Sequence, residues 1–259
     1  MTISILSLHT YPVKSCGSIT HTQIGVSATG LAHDREWVVV DHNGHFLTQR
    51  THPRMALVQP ALDASALFLN APEMPTLRIS LRPTEPRKAA VPLHIWNSPT
   101  LGQDEGDLAG RWFSDYLGLP CRLYRTHPEA RRLADPNRIS QWRERNPGQT
   151  TFPEEHLVGF ADGFPFLIAN QASLEDLNTR LLAQGQESVS MTRFRPNIVV
   201  DMAAIEGSFP ETEWIGRKLT VGDLLLTISE PCRRCGFTII AQDGFDQDPA
   251  ILRNLVRHN

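Results

Sequence analysis

The chain has 259 residues, 41% of them apolar and 20% charged, with a formal net charge of −3. That is the balance of an ordinary folded protein, long enough for one large domain or two modest ones with real cores. Its slight acidity argues against a dedicated nucleic-acid binder, and no apolar run reaches the length of a membrane span. The start, Met1-Thr-Ile-Ser-Ile-Leu-Ser, lacks the basic segment and apolar core of a signal peptide, so a cytoplasmic setting is expected, without membrane or nucleic-acid partners. Four cysteines, at 16, 121, 232 and 235, make neither a dense disulfide framework nor a pair of zinc knuckles.

Residues 3–8 form an apolar run of strand length that ends in Tyr11-Pro-Val-Lys-Ser-Cys16, where Pro12 has no N–H to give a ladder. Strands are expected at 36–40 and 46–48, with Asn43-Gly44 as the hairpin signal between them. Short strands follow at 66–69, 77–81 and 93–96, divided by Pro-rich turns, a spacing that suggests a barrel or sandwich. Leu108, Trp112, Phe113, Tyr116 and Leu117 recur with a helical period, and Gly118 stops them. Residues 126–156 are polar, Arg-rich and without apolar periodicity. They read as a connector or lid, and a boundary near 125 gives domains of 1–125 and 126–259. Further strands are expected at 164–169 and 194–200, around a helix at 172–182 that sets Leu174, Leu177 and Leu181 on one face. Residues 218–221 and 224–228 flank a Gly222-Asp223 turn, and Asp248-Pro249 caps and opens a last helix.

The stretch richest in chemistry is Pro231-Cys-Arg-Arg-Cys235, between strand-like runs at 224–228 and 237–240. A thiolate is the ligand soft metals favour, and neighbouring arginines lower a thiol's pKa and bind anions. One site could thus join a metal to a phosphate-bearing cofactor. Zinc would need two more ligands that no second motif supplies, and a thioredoxin-type couple would open a helix where strand formers stand here. The plain alternative is a pair of small half-buried hydrophobes, but Arg233 and Arg234 between them are of a type seldom buried without an anion. On an extended chain Arg193, Arg195 and Asn197 share one face, as an anion site or a salt-bridged rim. Lys14 and Ser15 could hold a phosphate through an ammonium, a hydroxyl and loop N–H groups, though without the glycines of a nucleotide loop. Arg35 could join them, or simply pair with Asp34, and Asp162-Gly163 could be an ordinary turn.

Six ordered segments carry a resemblance. Tyr11-Pro-Val-Lys-Ser-Cys16, Gly30-Leu-Ala-His-Asp-Arg-Glu-Trp37, Phe46-Leu-Thr-Gln-Arg50, Phe160-Ala-Asp-Gly-Phe-Pro-Phe166, Arg193-Phe-Arg-Pro-Asn197 and Cys232-Arg-Arg-Cys235 resemble the MOSC proteins. Over nearly its full length the chain is similar to bacterial relatives of the mitochondrial amidoxime-reducing component. The resemblance implies an α+β, β-rich fold: an N-terminal MOSC β-barrel domain, then a MOSC β-barrel core with a few packed helices. It implies a molybdenum cofactor, Mo-molybdopterin, whose metal takes one protein thiolate at Cys235. Lys14, Ser15, Arg35, Arg195, Asn197 and Arg234 would bind the pterin and its phosphate. Gly163 and Phe164 would form the loop beside it, with Asp162 a catalytic polar contact near the metal. At family level the association extends to pyridoxal phosphate.

The implied activity is that of an oxidoreductase reducing small N-hydroxylated compounds to the N–H form. No flavin, nicotinamide or iron–sulfur motif is seen, so electrons are expected from a separate donor protein, ferredoxin-like or a flavoprotein reductase. The alternative is a non-catalytic module that carries the cofactor or sulfur through Cys235. Chains of this family typically run on past the last helix with further strands, whereas this one stops at His258-Asn259; it is either a short member or a truncated chain, and truncation would leave closure and stability of the second barrel open.

Overall fold

The N-terminal strand, Ser4–Thr10, pairs antiparallel with Ile19–His21 along one edge and with Ile198–Asp201 along the other. Ile168–Asn170 adds in parallel beyond Ile198–Asp201 to complete a four-stranded sheet. This computed structural model describes residues 3–82, 89–148, 155–201, 210–242 and 247–258. A second four-stranded sheet runs in the order Trp37–Asp41, Cys121–Thr126, Ser98–Asp104, Val91–Ile95. Gln59–Leu62, Ala66–Asn70 and Leu77–Ser80 make a three-stranded meander, and Lys218–Val221 with Leu224–Thr227 a hairpin. The result is the β-rich α+β fold expected, with four α-helices among the described residues.

Helix α1 (Asp107–Leu117) buries Ala109, Trp112, Phe113 and Tyr116 on one face and stops at Gly118, whose φ of 72° is the left-handed geometry a glycine ends a helix with. That face meets Val13, Trp37, Val39, Leu67, Leu69 and Leu123 in the largest core cluster, so the second sheet and the meander share one interior. Helices α3 (Gln171–Ala183) and α4 (Pro249–His258) pack together through Leu174, Leu177 and Leu181 against Ile251 and Leu255. The Asp248 carboxylate accepts from Ala250 N at 2.8 Å, so the cap read from Asp248-Pro249 is present.

Four expectations need correction. Helix α2 (Pro136–Arg145) lies inside the segment read as a connector, capped by Asp135 with Pro136 in its first turn and burying only Ile139 and Trp142. Two apolar positions in ten residues are too few to register as a period, and residues 149–154 of that segment lie outside the described residues. The arm expected at 46–48 is reduced to one bridge, Val40 to Phe46. Residues 237–240 form a turn rather than a strand, with Thr238 N and Oγ1 both donating to the Cys235 carbonyl. Finally, 191–194 is a short 3-10 turn and Arg195 takes φ 54°, so Arg193, Arg195 and Asn197 do not alternate along a strand.

A pH dependence follows from the first sheet. His9 and His21 sit on paired strands, tied to Ser7, Thr10 and Thr20 hydroxyls. Burial lowers both imidazoles below their ordinary value of 6.5; repulsion from His21 adds to this for His9, while for His21 the pull of Asp34 opposes it and His33 adds to it. The unfolded chain therefore binds more protons, and stability present above pH 6.5 should drain away as pH falls through the imidazole range. The denaturant midpoint is expected to drop between pH 7.5 and 5.5, and the double variant His9→Asn, His21→Asn to flatten that slope. An unchanged slope in the double variant would assign the effect to other groups.

Candidate functional site

Where the first strand ends, the chain turns through Pro12 and Val13 and brings Lys14, Ser15 and Cys16 inside, all nearly sealed from solvent. Tyr11 is the centre of what they meet. Its N–H donates to Asp34 Oδ1 at 2.8 Å and its hydroxyl to the Pro196 carbonyl at 3.1 Å. The guanidinium carbons of Arg35 and Arg195 lie 4.3 and 4.1 Å from its ring centroid. Burial raises the Tyr11 pKa, against the pull of both arginines, so the ring stays a neutral phenol carrying two cations.

The cations differ in how they are neutralised. Lys14 donates to the Phe160 carbonyl at 3.0 Å and forms an ion pair with Asp162. Burial pushes the Lys14 ammonium below its ordinary range. Desolvation also works against the Asp162 charge, but Lys14, the Trp96 N–H and Arg35 outweigh it and hold that carboxyl well below the usual carboxylate range. Asp162 is thus a fixed counter-ion, unsuited to donate a proton at neutral pH. Arg35 donates to Asp34 Oδ2 at 2.5 Å, to Asn197 Oδ1 at 3.1 Å and to the Arg195 carbonyl at 3.2 Å.

Arg195 is 8% exposed and has no carboxylate at ion-pair distance among the described residues. It donates to the Cys16 carbonyl at 2.7 Å and more weakly to Gln242 Oε1 at 3.4 Å. Desolvation lowers its pKa to about 10, against the smaller pull of Tyr11. A buried cation without a partner is costly, and this one lines a cleft of about 720 Å³ with Arg193, Ser18, Ser190, Thr192 and Gln242.

Asn197 has a different task from the one its position suggested. Its Oδ1 accepts from Arg35 and from Leu167 N at 3.2 Å, and its Nδ2 donates to the His9 carbonyl at 3.2 Å. That amide staples the first strand to the strand at Ile198–Asp201.

Cys232 and Cys235 are exposed free thiols in an irregular loop, while Cys16 and Cys121 are buried. Burial raises Cys16 to about 12 and moves Cys121 upward as well, leaving those two thiols inert. The loop after Cys235 is tied to the site. Arg195 sits 5.5 Å from the Phe237 ring, Arg193 donates to the Ile239 carbonyl at 3.0 Å, and Gln242 exchanges two amide hydrogen bonds with buried Gln49. Arg234 is half-buried, 5.4 Å from the Phe194 ring.

On the other side, Gly163 leaves room for the Arg138 guanidinium, which a Cβ would collide with, and the same group lies 5.1 Å from the Phe164 ring and pairs with Glu230. Helix α2 therefore bridges the 162–164 loop to the residue just before Pro231-Cys232. The structure brings Lys14, Arg35, Asp162, Arg195 and Asn197 into one connected cluster, with Ser15 buried next to Lys14 in the chain. It links Gly163, Phe164 and Arg234 to that cluster only through neighbouring loops.

The MOSC N-terminal beta barrel domain matches residues 2–120 and the MOSC domain residues 155–259. The chain belongs to the MOSC proteins. It is 30% identical over 245 residues to human mitochondrial amidoxime-reducing component 1, covering 93% of this chain and 67% of that one. It is 32% identical to rat mitochondrial amidoxime reducing component 2, at 90% and 65% coverage. Human molybdenum cofactor sulfurase is 27% identical over 97% of this chain, but only 28% of its own length. This MOSC chain spans about two thirds of the amidoxime-reducing components and less of the sulfurase. A solution structure from Bordetella bronchiseptica aligns over 42% of the chain at 28% identity, with a TM-score of 0.34.

Three side chains of this site carry no signal that sequence reading caught. Tyr11 stood inside a quoted motif, but its role depends on two arginines that arrive from residues 35 and 195. Arg132 is 5% exposed and donates to the carbonyls of Gly159, Ala161 and Asp162, fixing the 159–162 turn, yet it lay in the supposed connector. Trp96, expected to end a strand, instead donates its indole N–H to Asp162 at 2.9 Å. Four of the six described non-glycine residues with positive φ belong here: Ser15, Arg35, Trp96 and Arg195. Backbone strain of this kind collects where a site is over-determined by its surroundings.

Proposed function

We propose that this chain is a molybdenum-cofactor oxidoreductase that reduces small N-hydroxylated compounds to the N–H form, with electrons from a separate donor protein. The carrying observation is Arg195, a buried cation that lacks a counter-ion and walls a polar cleft; it fits an anion that arrives with a ligand. Arg193 and the hydroxyls of Ser18, Ser190 and Thr192 line the same cleft and suit a phosphate, while the carboxylates of Glu187 and Asp248 line it too and oppose an anion. Lys14 and Arg35 are already neutralised and do not line this cleft, so they contribute less charge than their sequence position suggests.

The thiols fit as well. Among the described residues no cluster of three or more His, Cys, Asp or Glu could cage a metal. A centre with one protein ligand and the rest from an organic dithiolene is consistent with that, and Cys235 is exposed, reduced and flanked by Arg233 and Arg234. When bound, the cofactor supplies the chemistry: N–OH, two electrons and two protons become N–H and water. The chain's own part is to hold the phosphate at Arg195 and Arg193, to present the Cys235 thiolate, and to keep Asp162 ionised beside Lys14. Held ionised beside Lys14, Asp162 is a counter-ion rather than a proton donor in this reading. The donor protein is a ferredoxin-like or flavoprotein reductase in this reading. Pyridoxal phosphate has little support, because the buried Lys14 amine is committed to Asp162 and Phe160.

Similarity to the amidoxime-reducing components favours the reductase over the carrier; similarity to the molybdenum cofactor sulfurase keeps the carrier in view. Metal and pterin content of protein from a cofactor-making host, wild type beside Cys235→Ser, is the test. Near-stoichiometric molybdenum, reduction of a hydroxylamine by a chemical reductant, and loss of both in Cys235→Ser are expected. Bound cofactor without turnover would assign the carrier role, and no cofactor in folded wild-type protein would sink both.

A further inference from the structure

Trp96 breaks a local rule. Ile95 faces Ser98 across the hairpin of Val91–Ile95 and Ser98–Asp104, so Trp96 and Asn97 form a two-residue turn. Its first position carries φ 54°, which favours Gly or Asn and strains a bulky aromatic. Core burial gives no reason for the ring, since Trp96 is 47% exposed whereas Trp37, Trp112 and Trp142 are 5% exposed or less. Departures from local preference without a packing gain mark function.

The ring is nonetheless held in one pose. Its N–H donates to Asp162, the carboxylate paired with Lys14, and Phe46 meets it edge-on at 5.0 Å and 80°. The exposed Arg50 guanidinium lies 4.6 Å from its centroid. A solvated arginine on an aromatic face is weakly held, and a planar ligand can displace it or stack against it. The indole is thus a fixed, solvent-accessible π-face, one hydrogen bond from the loop that leads into Gly163 and Phe164.

We propose that Trp96 is a stacking subsite for planar, conjugated N-hydroxylated substrates such as aryl amidoximes and hydroxylated bases, and so sets the preference for them over aliphatic ones. It rests on the reductase reading for its substrate class. Its recognition element is this chain's own ring, and ligand binding alone can test it.

With 15N-labelled protein the indole N–H of Trp96 is assigned by its absence in Trp96→Phe. Benzamidoxime is then titrated beside acetamidoxime, which has the same N–OH group and no ring. The Trp96 signal should shift saturably with benzamidoxime and bind acetamidoxime about tenfold more weakly, the scale of one base stacked on an aromatic. Trp96→Gly suits the positive φ, so it should fold, and it should lose that tenfold for benzamidoxime only. In cofactor-loaded protein the same variant should raise KM for benzamidoxime about tenfold relative to KM for acetamidoxime in that variant. Equal affinity for both ligands, no benzamidoxime binding, or unaltered benzamidoxime binding in Trp96→Gly overturns the subsite. Benzamidoxime bound at Trp96 without turnover by loaded wild type would instead retire the reductase reading and leave the subsite standing.

Discussion

Replacing Asp34 with alanine is expected to lower the unfolding free energy by about 3–5 kcal/mol, the cost of stranding a buried charge. The Asp34 side chain is 2% exposed, and its two oxygens serve different partners, Tyr11 N and Arg35 Nη1. Burial alone would lower the Arg35 pKa, but Asp34, with Tyr11, more than reverses this and keeps the guanidinium charged. Without the carboxylate, Arg35 keeps its stack on Tyr11 and its bonds to Asn197 and the Arg195 carbonyl but has no charge to offset its desolvation. Asp34→Asn retains an acceptor for Tyr11 N and should lose less. Urea denaturation reads both variants. A loss below about 1 kcal/mol for Asp34→Ala would mean that water reaches Arg35 in a way the structure does not show.

Arg195→Met should do the reverse, sparing the fold and removing the ligand. Arg195 pays for its burial with two acceptor bonds and two aromatic faces, but no carboxylate. Methionine keeps much of the stem's packing and removes the desolvated charge, while the Cys16 carbonyl loses its donor. Those effects oppose each other, so stability should stay within about 1 kcal/mol of wild type. Phosphate, at concentrations that raise the melting temperature of wild type, should leave the variant unmoved, because ligand stabilisation needs the site. Cofactor content should fall at least about tenfold, the loss of one charge-assisted contact. A variant that melts far below wild type, or retains cofactor, would show that Arg195 is a structural strut.

Much of the fold was legible because periodicity and punctuation agree. Helix α1 announces itself by Leu108, Trp112, Phe113 and Tyr116 with Gly118 as a stop, and α4 by Asp248-Pro249. Helix α2 was missed because a solvent-facing helix with Ile139 and Trp142 inside has almost no apolar period. The candidate residues were chosen as anion-friendly types, and their tasks depend on partners that sequence spacing cannot supply. Arg35 and Lys14 find carboxylates, at Asp34 and Asp162; Arg195 does not. Asn197 looks like a ligand contact on paper, and in the fold its amide spends its bonds on Arg35, Leu167 and His9. Local backbone also overrode expectation: Arg195 at φ 54° turns its side chain onto Tyr11, where an extended strand would have set it beside Arg193.

The register of the first sheet, with Ser4 opposite Asp201 and Leu8 opposite Ile198, has a consequence for how the protein is made. The first strand to leave the ribosome cannot complete its inner edge until nearly four fifths of the chain has been synthesised. Until then it has only Ile19–His21 beside it, and its other edge is open to any passing strand. Contacts this far apart in sequence also slow folding, since a long loop must close before they form. A nascent chain stalled or cut near residue 125 would carry Tyr11 and Lys14 without Pro196 and Asp162.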